Sequence, residues 1–234
     1  MHIPDGYLSP ATCGVLGAVM LPIWTVASKI VKKTLRARQV PYLAIGAAFS
    51  FVIMMFNVPI PGGSTGHAVG GVLIAILLGP WAACIAMTVA LVVQALLFGD
   101  GGITAIGANC FNMAFVLPFV GYGVYKLMGV GSPIGSKRRV FASGVGAYVG
   151  ICTAATVAGI ELGLQPILFH TANGQALYCP YGIKTSISVM AGGNLLVFGW
   201  IEVLVTVLVF KYLQKIKDSS LFLLGKKMVD KKND

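Results

Sequence analysis

Apolar runs and short basic clusters alternate along the chain from end to end. Seven runs stand out: Pro10–Ala27, Val40–Phe56, Ala68–Leu78, Trp81–Phe98, Ile103–Tyr125, Val140–Leu164 and Thr185–Leu213. A helix that crosses a bilayer needs roughly 20 apolar residues, about 17 at the short end, and every run but the third reaches that. Ala68–Leu78 falls short, and only Gly79-Pro80 separates it from the fourth run. Proline cannot continue a helix interior, so the pair predicts a tight helical hairpin. The alternative is one bent segment across both runs, giving six crossings and an inverted topology downstream.

Basic residues decide between the two. With seven crossings and the N-terminus outside, the first inner loop takes Lys29, Lys32, Lys33, Arg36 and Arg38. The next takes Lys126, Lys137, Arg138 and Arg139, and the tail takes Lys211, Lys215, Lys217, Lys226, Lys227, Lys231 and Lys232. Of the 17 basic residues only Lys184 is then left outside. Lys and Arg are retained on the cytoplasmic side of membrane proteins, as this arrangement requires. The expected fold is an all-α integral membrane protein of the inner (plasma) membrane. It is a seven-transmembrane-helix bundle, N-terminus outside and C-terminus cytoplasmic. Residues 1–234 form one transmembrane domain, with an N-terminal segment 1–9 and a basic tail 214–234.

Composition agrees. Hydrophobic residues make up 57% of the chain and charged residues 10%, whereas a soluble domain carries about a quarter charged residues. The net charge of +10 would suit nucleic acid if it formed one face; here it is dispersed between apolar runs. Glycine is abundant, as in packed membrane helices where small residues let backbones approach. The N-terminus has no basic leader and no small-residue cleavage site, so no signal peptide is expected. Cys13, Cys84, Cys110, Cys152 and Cys179 show no ligand spacing and no disulfide framework.

This topology puts His2, His67 and His170 outside, with Asp5, Asp100 and Glu161. Glu202 alone remains in mid-membrane, where an acid marks either a functional site or a buried pair with Ser, Thr or Asn. His170 reads as an interfacial residue and Glu161 as an acid of the rim.

The chain opens Met1-His2-Ile3-Pro4-Asp5-Gly6. A free amine followed by His offers three nitrogens in order: the Met1 amine, the His2 amide and a His2 ring nitrogen. Small chelate rings through amine, amide and Nδ1 suit an ion that prefers a planar nitrogen set, Ni²⁺ or Cu²⁺. One more nitrogen would complete the plane. His67 offers it, at the end of Pro61-Gly62-Gly63-Ser64-Thr65-Gly66-His67, a Gly-rich outer loop able to fold back into the bundle. Irregular backbone at membrane depth is tolerated where it lines a site. At ordinary pKa values such a site loses ions to protons below about pH 6 to 7.

The opening Met-His-Ile-Pro-Asp-Gly-Tyr-Leu-Ser-Pro resembles the start of the CbiM/NikM family, the cobalt- and nickel-specific S components of energy-coupling factor (ECF) transporters. The resemblance continues through Asn57-Val58-Pro59-Ile60-Pro61-Gly62-Gly63-Ser64-Thr65-Gly66-His67 and Gly99-Asp100-Gly101-Gly102-Ile103-Thr104-Ala105-Ile106-Gly107-Ala108-Asn109. It implies a seven-helix S component whose N-terminal segment folds into the bundle, with Ni²⁺ or Co²⁺ as transported substrate. It also implies metal held by the Met1 amine, the His2 amide and ring, and His67, with Asp5, Ser64, Thr65 and Asn109 as supporting residues. Ala44-Ile-Gly-Ala-Ala48 is similar to the family's docking stripe for a transmembrane T component. Two cytoplasmic ATPase subunits and a small additional membrane subunit complete the implied partners.

The chain has no nucleotide-binding motif of its own: Gly131-Ser132-Pro133-Ile134-Gly135-Ser136-Lys137 has the wrong spacing for a phosphate loop. Capture outside followed by release inside, powered by partners, is therefore the expected function. A secondary transporter driven by a proton or sodium gradient is the alternative, but such relays usually carry several intramembrane acids. A membrane metalloenzyme would need an open coordination position and a general base, and HExxH is absent. A purely structural subunit would not bind metal. Four planar nitrogens favour nickel over cobalt.

Overall fold

The structure is a computed structural model and describes residues 1–35, 39–60, 64–133 and 135–215. Arg36, Arg38 and the tail from residue 216 lie outside the described residues. The chain is mostly helical. α1 (Pro10–Thr34) starts where the Ser9 hydroxyl accepts from the Thr12 amide and Pro10 takes the first helical position, a capped start with a preset φ. It runs past the apolar stretch ending at Ala27 and carries Lys29, Lys32 and Lys33 on its last turns. Hydropathy marks where lipid ends, not where hydrogen bonding ends.

α2 (Val40–Met54) leads into a two-stranded antiparallel ribbon, β1 (Val58–Ile60) and β2 (Ser64–Gly66). The expectation of a purely helical chain missed this ribbon, whose strands are three residues each and too short to show a period. α3 (Gly71–Leu78) follows and is buried along most of its length. At 1.5 Å per residue it covers about 12 Å, so any crossing here must also use the irregular segment before it. Gly79, at φ +92°, then turns the chain into α4 (Pro80–Val93), and α3 packs against α4.

α4 ends in a π-helical turn, Gln94–Phe98. α5 (Ile106–Cys110), a second π-turn (Phe111–Val116) and α6 (Leu117–Met128) form one continuous helix. α7 (Lys137–Gly163) and the short α8 (Gln165–Leu168) come next. α9 (Ile183–Gly193), a third π-turn (Asn194–Phe198) and α10 (Gly199–Lys215) close the described chain. Gln94, Asn112 and Asn194, one in each π-turn, are buried amides. Each breaks an otherwise apolar run, and π-turns of this kind recur at functional sites.

Five helical segments are long and apolar enough to cross a membrane: Pro10–Thr34, Pro80–Phe98, Ile106–Met128, Lys137–Leu168 and Ile183–Lys215. Val40–Met54 is apolar but shorter. Large apolar side chains on the outer faces are exposed, among them Leu21, Ile45, Leu97, Leu196 and Trp200, as lipid contact requires. The interior is knit by small residues. A Cβ on Gly121 would lie 2.7 Å from the Gly146 carbonyl, and one on Gly146 would lie 2.5 Å from the Gly121 carbonyl, so α6 and α7 touch backbone to backbone.

Candidate metal centre

Residues 1–9 do not trail into solvent. Met1, His2 and Ile3 are buried, and each is held by a different part of the chain. The Asn109 side chain, on α5, brackets Ile3 as a neighbouring strand would: its carbonyl accepts from Ile3 N–H at 2.8 Å and its amide donates to the Ile3 carbonyl at 3.0 Å. The Gly102 amide donates to the same carbonyl. Asp5 accepts from the Ile103 and Thr104 amides and the Thr104 hydroxyl, hydrogen bonds that hold its carboxyl below the ordinary range. A Cβ on Gly102 would strike Asp5 at 2.5 Å, so glycine is required where the two loops cross.

The amine of Met1 donates to the Thr65 carbonyl at 2.7 Å and lies 3.3 Å from His67 Nε2. His2 Nδ1 lies 3.1 Å from the same His67 Nε2, with the two rings stacked at 4.8 Å. His67 Nδ1–H donates to the Ala68 carbonyl at 3.0 Å, which fixes the tautomer and leaves Nε2 as a lone pair facing the other two nitrogens. In a planar set with metal–nitrogen bonds of about 2.0 Å, adjacent nitrogens sit ~2.8 Å apart. His67 Nε2 is nearly equidistant from amine and His2 ring, within half an ångström of that spacing, as the position opposite the His2 amide demands. His and carboxylate side chains alone make no such group: among the described residues no three of His, Cys, Asp or Glu converge. A donor set here would have to draw on main-chain nitrogens.

Burial keeps these nitrogens unprotonated. The Met1 amine is lowered from 8.0 to about 5 by desolvation, which Asp100 opposes. His2 is lowered to about 3 by desolvation and the amine's charge, with Gln94 acting the other way. Desolvation, the amine and His2 hold His67 well below its usual range. The amine and both imidazoles are thus uncharged at neutral pH.

Glu202 supports the centre from α10. Its carboxylate accepts from Val69 N–H at 2.6 Å and Gly70 N–H at 2.9 Å, fastening the segment immediately after His67. Its partners are amides of the main chain, not the Ser, Thr or Asn side chains that the sequence suggested for a buried pair. Gly70 holds φ +73° and Gly66 lies against the Phe198 ring, where a Cβ would sit 2.0 Å away. The loop carrying His67 therefore needs glycine on both sides of it.

Of the residues singled out from sequence, Met1, His2, His67, Thr65 and Asn109 come together here. Asp5 anchors the neighbouring loop. The Ser64 side chain lies outside the described residues. His170 is exposed, bridges to Ala176 and sets its Nδ1 against the Thr171 carbonyl, away from the other two histidines. Glu161 is not an acid of the rim: it is buried in α7 and accepts from the Asn112 amide at 2.7 Å, because Asn112 gives it a partner inside the bundle. Ala44 and Ala48 are exposed on α2, in line with the exposed Val40 and Val52. The five cysteines are free. Two neighbours of the centre escaped notice: Asp100, 3.4 Å from His2 Nδ1, and Gln94. A polar amide inside an apolar run was the available signal for Gln94. Asp100 was masked by its place in a glycine-rich turn.

Fold and site together define a polytopic membrane protein that turns its own N-terminus inward against two histidines. Residues 2–220 match the CbiM family, described as the cobalt uptake substrate-specific transmembrane region, and the chain belongs to that family. It is 55% identical over 226 residues to a probable fused nickel transport protein LarMN of Lactiplantibacillus plantarum, covering 95% of this chain and 67% of that one. To the fused nickel transport protein NikMN of Rhodobacter capsulatus it is 51% identical, covering 92% and 62%. The chain thus spans about two thirds of these fused relatives. A putative metal transport protein of Methanocaldococcus jannaschii is 51% identical with 93% of both chains covered. A crystal structure of a transition metal transporter superposes with a TM-score of 0.89 at 55% identity, covering 97% of this chain and 99% of the other.

Proposed function

We propose that this chain is the substrate-binding membrane subunit of an ATP-driven ECF transporter, taking up Ni²⁺ or Co²⁺ across the inner membrane. One observation carries the reading: the Met1 amine and His2 Nδ1 both approach the free lone pair of His67 Nε2, within 3.3 Å, in a buried pocket. The ligands are the Met1 amine, the His2 amide and Nδ1, and His67 Nε2. The amide gives up its proton as the ion binds, which favours nickel among the two metals. Thr65 and Asn109 hold the donors in place. The chain crosses the membrane seven times with the metal centre on the outer side. Membership in the family and the names of the nickel and cobalt transport relatives support this reading.

Uphill transport requires partners: a transmembrane T component docking on the Ala44–Ala48 face, two cytoplasmic ATPase subunits and a small additional membrane subunit. The Glu202 carboxylate accepts from two main-chain amides, a structural role that supports the ATP-driven reading over a proton relay through Glu202. The test is equilibrium binding of nickel to the purified full chain. A free N-terminus should bind tightly, and an N-terminally acetylated or tagged chain should not, while a C-terminal tag is harmless. Equal affinity in blocked and free chains would overturn the ligand set.

A further inference from the structure

A cavity of about 260 Å³ lies against His2. Tyr7 and Tyr181, both exposed, stand at its rim, and Cys179, Thr185 and Met190 line its walls. Asp100 is the one charged side chain that lines it together with His2; no Lys or Arg does. The carboxylate is held in place. Its Oδ2 accepts from the Asn57 amide at 3.0 Å, which leaves Oδ1 facing His2 Nδ1 at 3.4 Å. The other acids among the described residues are engaged elsewhere: Asp5 with the Ile103–Thr104 amides, Glu161 with Asn112, and Glu202 with Val69 and Gly70.

We propose that Asp100 is the capture group for the divalent cation. It draws the hydrated ion through this cavity to the nitrogens and stays beside the loaded site as its counter-charge. The inference rests on the reading of the four nitrogens as ligands. Two physical demands meet at this residue. A dication approaching a lining of neutral groups is steered by whatever charge faces the path, and a carboxylate at the end of a confined, low-dielectric cleft is the effective arrangement. A dication bound by two imidazoles, an amine and a deprotonated amide retains one positive charge. Burying that charge unpaired is costly, and Asp100 stands within contact of the ligand ring to neutralise it.

The test is the rate of nickel association with the purified full chain, followed by the visible absorption of the nickel–nitrogen centre, at several ionic strengths. Association in the native protein should slow as salt rises. Asp100→Asn should slow it about tenfold at low salt and flatten the salt dependence, while keeping the absorption band of the nitrogen set. Asp100→Glu should restore both rate and salt dependence, which a merely structural role would not do. Thr185→Lys, which adds a positive charge to the cavity wall without touching a ligand, should also slow association, and keeps the test alive if Asp100→Asn does not fold. Native rates with native salt dependence in Asp100→Asn, or no effect of Thr185→Lys, would overturn the proposal. Failure of the ligand set has a separate signature: a His67→Ala chain that binds nickel with the native band.

Discussion

Adding Ni²⁺ should release about one proton per ion at pH 7. In an exposed Met-His tail with a third-party imidazole, the amine (pKa near 8) is about nine-tenths protonated at pH 7 and each imidazole (near 6.5) about one quarter. With the amide proton displaced as well, such a site would release about 2.4 protons per ion. In the folded chain the amine lies at about 5 and His2 at about 3, with His67 also well below its usual value. The amide proton is then nearly the whole count. At pH 6 the contrast widens to about 1.1 against about 3.5. The measurement is calorimetry in two buffers of different ionisation enthalpy, or an indicator dye in weak buffer. Release of two or more protons at pH 7 would mean that the N-terminus docks only when metal arrives.

The same shifts move the acid limit of binding. Ordinary pKa values place it at pH 6 to 7, whereas the buried amine places proton competition near pH 5. Between pH 5 and 8 affinity should rise only tenfold per unit, the slope of a single proton. Docking of the metal-free segment carries the opposite burden. The undocked amine binds more protons than the docked one between pH 5 and 8, so docking strengthens as pH rises through that window. At pH 7 stripping the free amine costs about 1.4 kcal/mol.

Other outcomes are equally open to measurement. A reporter fused after Asp234 should be cytoplasmic and a cysteine near Gly101 should label from outside; an external C-terminus would remove the seven-crossing topology. Asn109→Ala leaves the buried Ile3 N–H unpaired, a loss of about 1–3 kcal/mol, and should weaken nickel binding roughly 10- to 100-fold by titration. Glu202→Ala strips two buried amides of their acceptor, so the thermal midpoint should fall; an unchanged midpoint would show that these bonds contribute nothing. One residue inserted between Met1 and His2 should give a chain that holds nickel on the tail alone but transports it poorly in cells supplied with the partner subunits.

Much of this was legible in the sequence because lipid demands long apolar runs and the donor atoms sit in a short, readable opening. Pro80 announced the break after α3, and the opening Met1-His2 pointed to the segment that the structure brings against His67. What escaped depended on contacts between distant segments. Glu161 looked like an outer acid until Asn112, 49 residues away, supplied its partner. The ribbon of β1 and β2 has too few residues to show a strand period. Asp100 is a carboxylate in a glycine-rich turn, and nothing local distinguishes it from a solvated one. Its relation to His2 exists only once the N-terminal segment and the α4–α5 loop are packed together.

The proposed centre would take its donors from two places in the chain and its supports from several more. The amine is held by Thr65 in β2, Ile3 by Asn109 on α5, and the residues after His67 by Glu202 on α10. An ion bound to amine and His67 together closes a link between residues 1 and 67, which neither the free tail nor the free loop can make. A tail-only chelate would bind metal equally well in the unfolded chain and stabilise nothing. A ligand that prefers the folded state stabilises it by an amount set by its concentration over its dissociation constant, about 2.7 kcal/mol at a hundredfold excess. The arrangement therefore ties occupancy to the position of the helices. That coupling is what a carrier would require of its site.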